Sequence, residues 1–87
     1  AGLVYARSGL ACKRGLAPAN KVGVVDSDYR GEINVVLHNH GSVPQTIENG
    51  ERVAQLLITP VFQPAYEIAE ALTDTARNAG GFGSTGK

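Results

Sequence analysis

Thiol chemistry is almost missing from this 87-residue chain, which carries one cysteine, Cys12. That excludes an internal disulfide, the usual staple of small secreted domains, and a single thiol suits a reducing compartment. No apolar run approaches the length of a bilayer span, and the amino end lacks the charged-then-apolar pattern of a signal peptide. The expectation is a soluble, cytoplasmic chain with no membrane partner. An excess of charge of one sign is missing too. Eight Lys plus Arg balance eight Asp plus Glu, so whole-molecule attraction to nucleic acid has no support. There is no internal repeat, no charge block and no low-complexity linker before the tail.

The charges that are present are unevenly spread. Every charge before Asp26 is positive (Arg7, Lys13, Arg14, Lys21), and residues 26–74 hold all eight acids against Arg30 and Arg52. Arg77 and Lys87 make the end basic again. Such a pattern arises from a small anion held by two basic ends near a central carboxylate, or from chance in so short a chain. At this size folding hides only about two-thirds of the chain's surface. Without disulfides, oligomerisation becomes the expected remedy.

"VGVVDSDYRGEINVVLHN" reads as a β-hairpin. Val22–Val25 are β-formers, residues 26–31 are turn-rich, and Ile33, Val35 and Leu37 alternate on one face. Folding about Tyr29 sets Val24 opposite Asn34. In "QTIENGERVAQLLITPVF", Asn49-Gly50 predicts a second hairpin between Thr46-Ile47 and a strand over Val53–Phe62. Pro44, Pro60 and Pro64 fall at strand edges. "PAYEIAEALTDTARNAG" carries a helical spacing after Pro64, while the remainder, several short strands separated by turn signals, predicts an all-β sandwich or jelly roll.

Two familiar strings overlap in "GGFGSTGK": a G-x-G-x-x-G fingerprint from Gly81 to Gly86 and the start of a P-loop. Both need a following helix whose amino terminus holds phosphate, and no helix follows within this sequence. His38 and His40 share a strand face but lack third and fourth metal ligands. Cys12 has no evident activating base.

Four segments carry more. In "ARSGLACKRGL", Ser8 and Gly9 beside Arg7 read either as a basic loop leaving a strand or as a cradle for phosphate oxygens. In "NKVGVVDSDYRGE", Asp26 and Asp28 suit a turn, while a carboxylate fixed at a hairpin mouth can orient a water and take its proton. Tyr29 is a turn aromatic or a wall for a sugar. Gln55 interrupts the apolar strand of "GERVAQLLI" and needs polar partners. "RNAGGFGSTG" closes the set.

Together, in this order, the pieces "RSGLA", "DSDYRGEI", "ERVAQL" and "GGFGSTG" resemble the trimeric dUTPase (deoxyuridine triphosphate nucleotidohydrolase) family, over nearly the whole chain. The resemblance implies a distorted jelly roll of the β-clip type, a homotrimer with shared active sites, and hydrolysis of dUTP to dUMP and pyrophosphate with Mg²⁺. By this resemblance Arg7, Ser8 and Gly9 hold the triphosphate. Asn20 and the backbone of Gly23, Val24 and Val25 read the uracil edge, joined by the main chain of Asn34. Tyr29 stacks under the deoxyribose, Asp26 positions the water that attacks the α-phosphorus, and Gln55 contacts the phosphate near that attack. Residues 1–76 correspond to the β domain and 77–87 to a glycine-rich arm that closes over bound nucleotide. In the arm Phe82 covers the uracil ring, while Arg77, Gly83, Ser84 and Thr85 hold the γ-phosphate. No residue of this chain is implied as a direct metal ligand, and Arg52 is read as structural.

The family's earlier motif, alanine-glycine-x-aspartate-leucine, has no match here, and "AGLVYA" reads as the middle of a domain. The expectation is a carboxyl-terminal portion of a longer protein. The family also implies a strand over residues 65–72 where the spacing suits a helix, and the strand is preferred because tertiary context overrides short-range propensity. Two rivals remain: a dCTP deaminase-related enzyme on the same fold, and a non-catalytic nucleotide-binding or trimer-forming module.

Overall fold

The computed structural model describes residues 1–83. Its centre is β1 (Gly2–Tyr5), whose alternating Gly2 and Val4 turn inward. On one edge β1 pairs antiparallel with β3 (Gly23–Val25), and on the other with β5 (Gln55–Ile58), giving the order β3-β1-β5. The register sets Leu3 opposite Val24 on one side and opposite Leu57 on the other. Beyond β5, the Thr59 N–H donates to the Ala1 carbonyl at 2.9 Å. A second sheet pairs β2 (Leu16–Pro18) with β4 (Leu37–Asn39), also antiparallel. These pairings make the chain all-β, with a single short helix among the described residues.

That helix, α1 (Ser8–Arg14), corrects the reading of "RSGLACKR" as a loop. Seven residues are too few to show a period, and only Leu10 is buried, so packing rather than propensity holds it. Arg7 is the N-cap without a side-chain capping bond. Lys13 and Arg14 lie in the last turn, where the helix dipole favours cations. Gly15 ends the helix at φ 70°, its N–H bonded to the Leu10 carbonyl, a left-handed stop that glycine adopts at little cost.

Both hairpin expectations need correction. Val24 pairs with Leu3 rather than Asn34, because β1 occupies the inner edge of β3. Residues 33–36 form no strand, although Ile33 and Val35 do face one common cavity. At the second site the Asn49-Gly50 turn is present, with Gly50 at φ 83° and the Glu51 N–H bonded to the Glu48 carbonyl. The strand that follows is shorter than the expected Val53–Phe62, and β1 is its partner. Residues 65–72 are neither helix nor strand. Tyr66, Ile68 and Leu72 are at least 90% exposed, so this stretch meets no apolar surface among the described residues that could order it.

The core is small: among the described residues Val4, Leu10, Leu16 and Pro18 are its buried apolar side chains. The radius of gyration is 18.9 Å, against about 12 Å for a compact domain of this length. No helix of the described residues is long and apolar enough to cross a membrane.

Candidate functional site

Two cavities flank the central sheet, the first reaching Val4 of β1 and the second Gln55 of its partner strand β5. The first, about 240 Å³, lies where β3 and the turn after it face Val4. It gathers Asn20, Gly23, Val24, Val25, Asp26, Tyr29 and Asn34, all of them sequence-expected residues. β3 is the outer strand of its sheet, so its outward backbone N–H and C=O groups remain available to a ligand. Gly23 permits a close approach: a Cβ there would stand 3.3 Å from the Val4 Cβ and 3.4 Å from the Asn20 Nδ2.

Tyr29 is fixed by the turn that carries it. The Tyr29 N–H donates to the Asp26 carbonyl at 3.1 Å and its hydroxyl to the Glu32 carbonyl at 2.7 Å. The ring therefore lies across Gly31, where a Cβ would come within 2.2 Å of the Tyr29 hydroxyl oxygen. Arg30 ties the same turn, its Nη1 donating to the Ser27 carbonyl at 2.9 Å and to the Tyr29 carbonyl at 3.1 Å. The Asn34 amide donates to the Glu32 carbonyl at 3.3 Å. Asp26 is exposed and also borders a separate opening with Ser27, Asp28 and Gln63.

The second cavity, about 470 Å³, lies between the start of α1 and the entry to β5. It unites the expected Arg7, Ser8, Gly9 and Gln55 with Arg14, Glu51 and Arg52. Three arginines against one glutamate make it cationic, a setting for an anion. Arg14 and Glu51 pair with each other at 3.0 Å. The first turn of α1 has no intrahelical partners for its N–H groups. The Gln55 amide donates to the Ala6 carbonyl at 2.7 Å, which fixes the backbone just before Arg7.

Asp26 and Gln55 are on different sides of this arrangement. Val25 pairs with Gly2 at one end of β1, and Gln55 with Tyr5 at the other end on the opposite edge. At about 3.4 Å per residue along the strand and about 4.8 Å between strands, one chain's Asp26 and Gln55 stand roughly 16 Å apart.

The arm residues Arg77, Phe82 and Gly83 line neither cavity. Arg77 donates from Nε to the Gly80 carbonyl at 2.6 Å, and Phe82 is fully exposed. Ser84 and Thr85 lie outside the described residues. His38 and His40 stack with ring centroids 6.4 Å apart. The sequence does not single out Arg14, Glu51 or Gly31, and Arg52, read there as structural, lines the second cavity. The adjacent opposite charges of Glu51-Arg52 shortly before Gln55 were a signal for the second cavity. Gly31, two residues after a turn tyrosine, was a signal for the first.

Comparison with known proteins agrees with these segments. The dUTPase family model matches residues 1–86. Deoxyuridine 5'-triphosphate nucleotidohydrolases from two strains of Desulfitobacterium hafniense are 57% identical over 83 residues, covering 95% of this chain and 55% of the relative. The enzyme of the same name from Maricaulis maris is 53% identical over the same coverage. This chain thus spans about half the length of the curated relatives it matches. With a match that runs through both cavities and the turn between them, the chain belongs to the dUTPase family.

Proposed function

We propose that this chain carries most of the machinery of a dUTP diphosphatase, releasing dUMP and pyrophosphate. The observation that supports this most is the pairing of a small cavity edged by free strand backbone with a cationic cavity flanking the same sheet. Uracil offers one N–H donor between two carbonyl acceptors. The outer edge of Gly23–Val25, with Asn20 and the Asn34 main chain, can match that pattern, and cytosine's different pattern would leave buried polar groups unpaired. Tyr29, held flat across Gly31, supplies a wall under the deoxyribose with no space for a 2′-hydroxyl.

Arg7, Ser8, Gly9 and Gln55 take the phosphate chain. Asp26 orients a water and accepts its proton as the new O–P bond forms at the α-phosphorus and the bond to pyrophosphate breaks. Residues 77–87 form an arm closing over the nucleotide, bringing Arg77, Phe82, Gly83, Ser84 and Thr85 to it, while 1–76 form the β domain.

Mg²⁺ usually keeps several waters and binds through substrate phosphates with one or two carboxylates. The donor set here, isolated exposed carboxylates with no group of three metal-binding side chains among the described residues, suits an ion carried in on the triphosphate. When bound, it would neutralise phosphate charge.

The Asp26 and Gln55 backbones stand roughly 16 Å apart across opposite edges of β1, and the Gln55 amide is turned to the Ala6 carbonyl. We therefore assign each complete site to more than one subunit of a homotrimer, the first cavity from one chain facing the second from another. The accessible surface supports assembly: 7847 Å² against about 4900 Å² for a compact monomer of 9.1 kDa. The lone thiol of Cys12 suits a cytoplasmic setting.

The test is incubation of the protein with dUTP and Mg²⁺. Pyrophosphate release should fall by at least about a thousandfold in Asp26→Asn and slow sharply on removal of residues 77–87 with assembly intact. Release of ammonia from dCTP, or dUTP binding without turnover, would contradict the proposal.

A further inference from the structure

Arg14 is the most heavily engaged side chain of the second cavity. Its Nε donates to the Gln45 amide oxygen at 3.0 Å, and its Nη2 to the Thr46 carbonyl at 2.6 Å. Its Nη1 donates to both Glu51 carboxylate oxygens, at 3.0 and 3.1 Å. All three guanidinium nitrogens are thus spent on one segment, 31 to 37 residues away in sequence, in four hydrogen bonds. That segment leads directly into Arg52 and Gln55. The Arg14–Glu51 pair is the one salt bridge among the described residues, with side chains 31% and 27% exposed.

Arg7 and Arg52 differ. Neither guanidinium has a hydrogen-bond or ion-pair partner among the described residues. The cavity thereby divides its cations into one that is internally saturated and two that are available. The saturated one also cancels Glu51, the only carboxylate lining the cavity.

We propose that Arg14 is a positioning residue for the phosphate cavity: it clamps the 45–51 turn to the end of α1 and neutralises Glu51, leaving Arg7 and Arg52 to the anionic ligand. This rests on the phosphate reading of that cavity. Without Arg14 an unpaired carboxylate would face the incoming triphosphate, and the segment carrying Arg52 and Gln55 would lose its anchor.

Two measurements on the intact protein test it: calorimetric binding of inorganic tripolyphosphate, and KM and kcat for dUTP. Arg14→Ala should weaken tripolyphosphate binding and raise KM by about tenfold, with kcat changed by less than about threefold. Adding Glu51→Gln to Arg14→Ala should restore at least about threefold of the loss, because the repelling charge is gone. A merely structural Arg14 would show no such rescue, and its absence overturns the proposal, as does unchanged binding in Arg14→Ala. Arg14→Lys keeps the charge but cannot span all three anchors. It should bind tripolyphosphate about threefold more weakly than wild type, and equality would overturn the proposal even if Arg14→Ala fails to fold. Wild-type protein that binds no tripolyphosphate refutes the phosphate reading itself, whereas wild-type binding indifferent to Arg14 refutes this inference alone.

Discussion

Tyr29 owes its position to a neighbour without a side chain. The ring lies across Gly31 and is pinned by its hydroxyl to the Glu32 carbonyl, and any Cβ at Gly31 would overlap the phenol. Gly31→Ala should therefore push the ring off the turn, raising KM for dUTP by about tenfold and narrowing the preference for dUTP over UTP. Steady-state kinetics with both nucleotides checks this, and an unaltered preference would contradict the stacking role. Residues of the first cavity were legible through the family resemblance, and they lie close in sequence: Asp26 and Tyr29 share one turn and Asn34 follows soon after. Arg14 was not legible. Its partners Gln45, Thr46 and Glu51 lie more than 30 residues downstream, and nothing in "CKRG" distinguishes a saturated guanidinium from a free one.

The elements divide in the same way. β1 and β5 were readable from apolar runs, but their partners were not, since a run of β-formers does not specify which edge it joins. Thus Val24 was assigned to Asn34 and pairs with Leu3. α1 was unreadable because one buried leucine gives no period. Its stop is more informative: Gly15 is left-handed at φ 70°, and a Cβ there would stand 3.0 Å from the Gly41 N. Gly15→Ala should destabilise the fold by about 1–2 kcal/mol, through positive φ and crowding together. Thermal unfolding reads this, and a melting temperature equal to wild type would contradict the capping account. Because α1 begins at Ser8, its loosening should also weaken the cationic cavity.

At the scale of the whole molecule, the chain leaves much apolar surface uncovered. Among the described residues its buried apolar side chains are Val4, Leu10, Leu16 and Pro18, and Phe62, Tyr66, Ile68 and Leu72 lie open to solvent. Size and the lone cysteine already pointed to assembly, but the strand expected over residues 65–72 has no pairing edge in its own chain. The two cavities lie apart along and across β1, with a third between them that shares Val4 and Ile33 with one and Arg7 and Gln55 with the other. The central claim is that Asp26 of one subunit serves phosphates held by Arg7 and Gln55 of another. Complementation tests it most directly: Asp26→Asn and Gln55→Ala proteins, each inactive alone, are unfolded together and reassembled as mixed oligomers. Random mixing should give about a quarter of wild-type dUTP hydrolysis, because some sites then receive an intact Asp26 and an intact Gln55 from different chains. Mixed oligomers no more active than either parent would contradict the account.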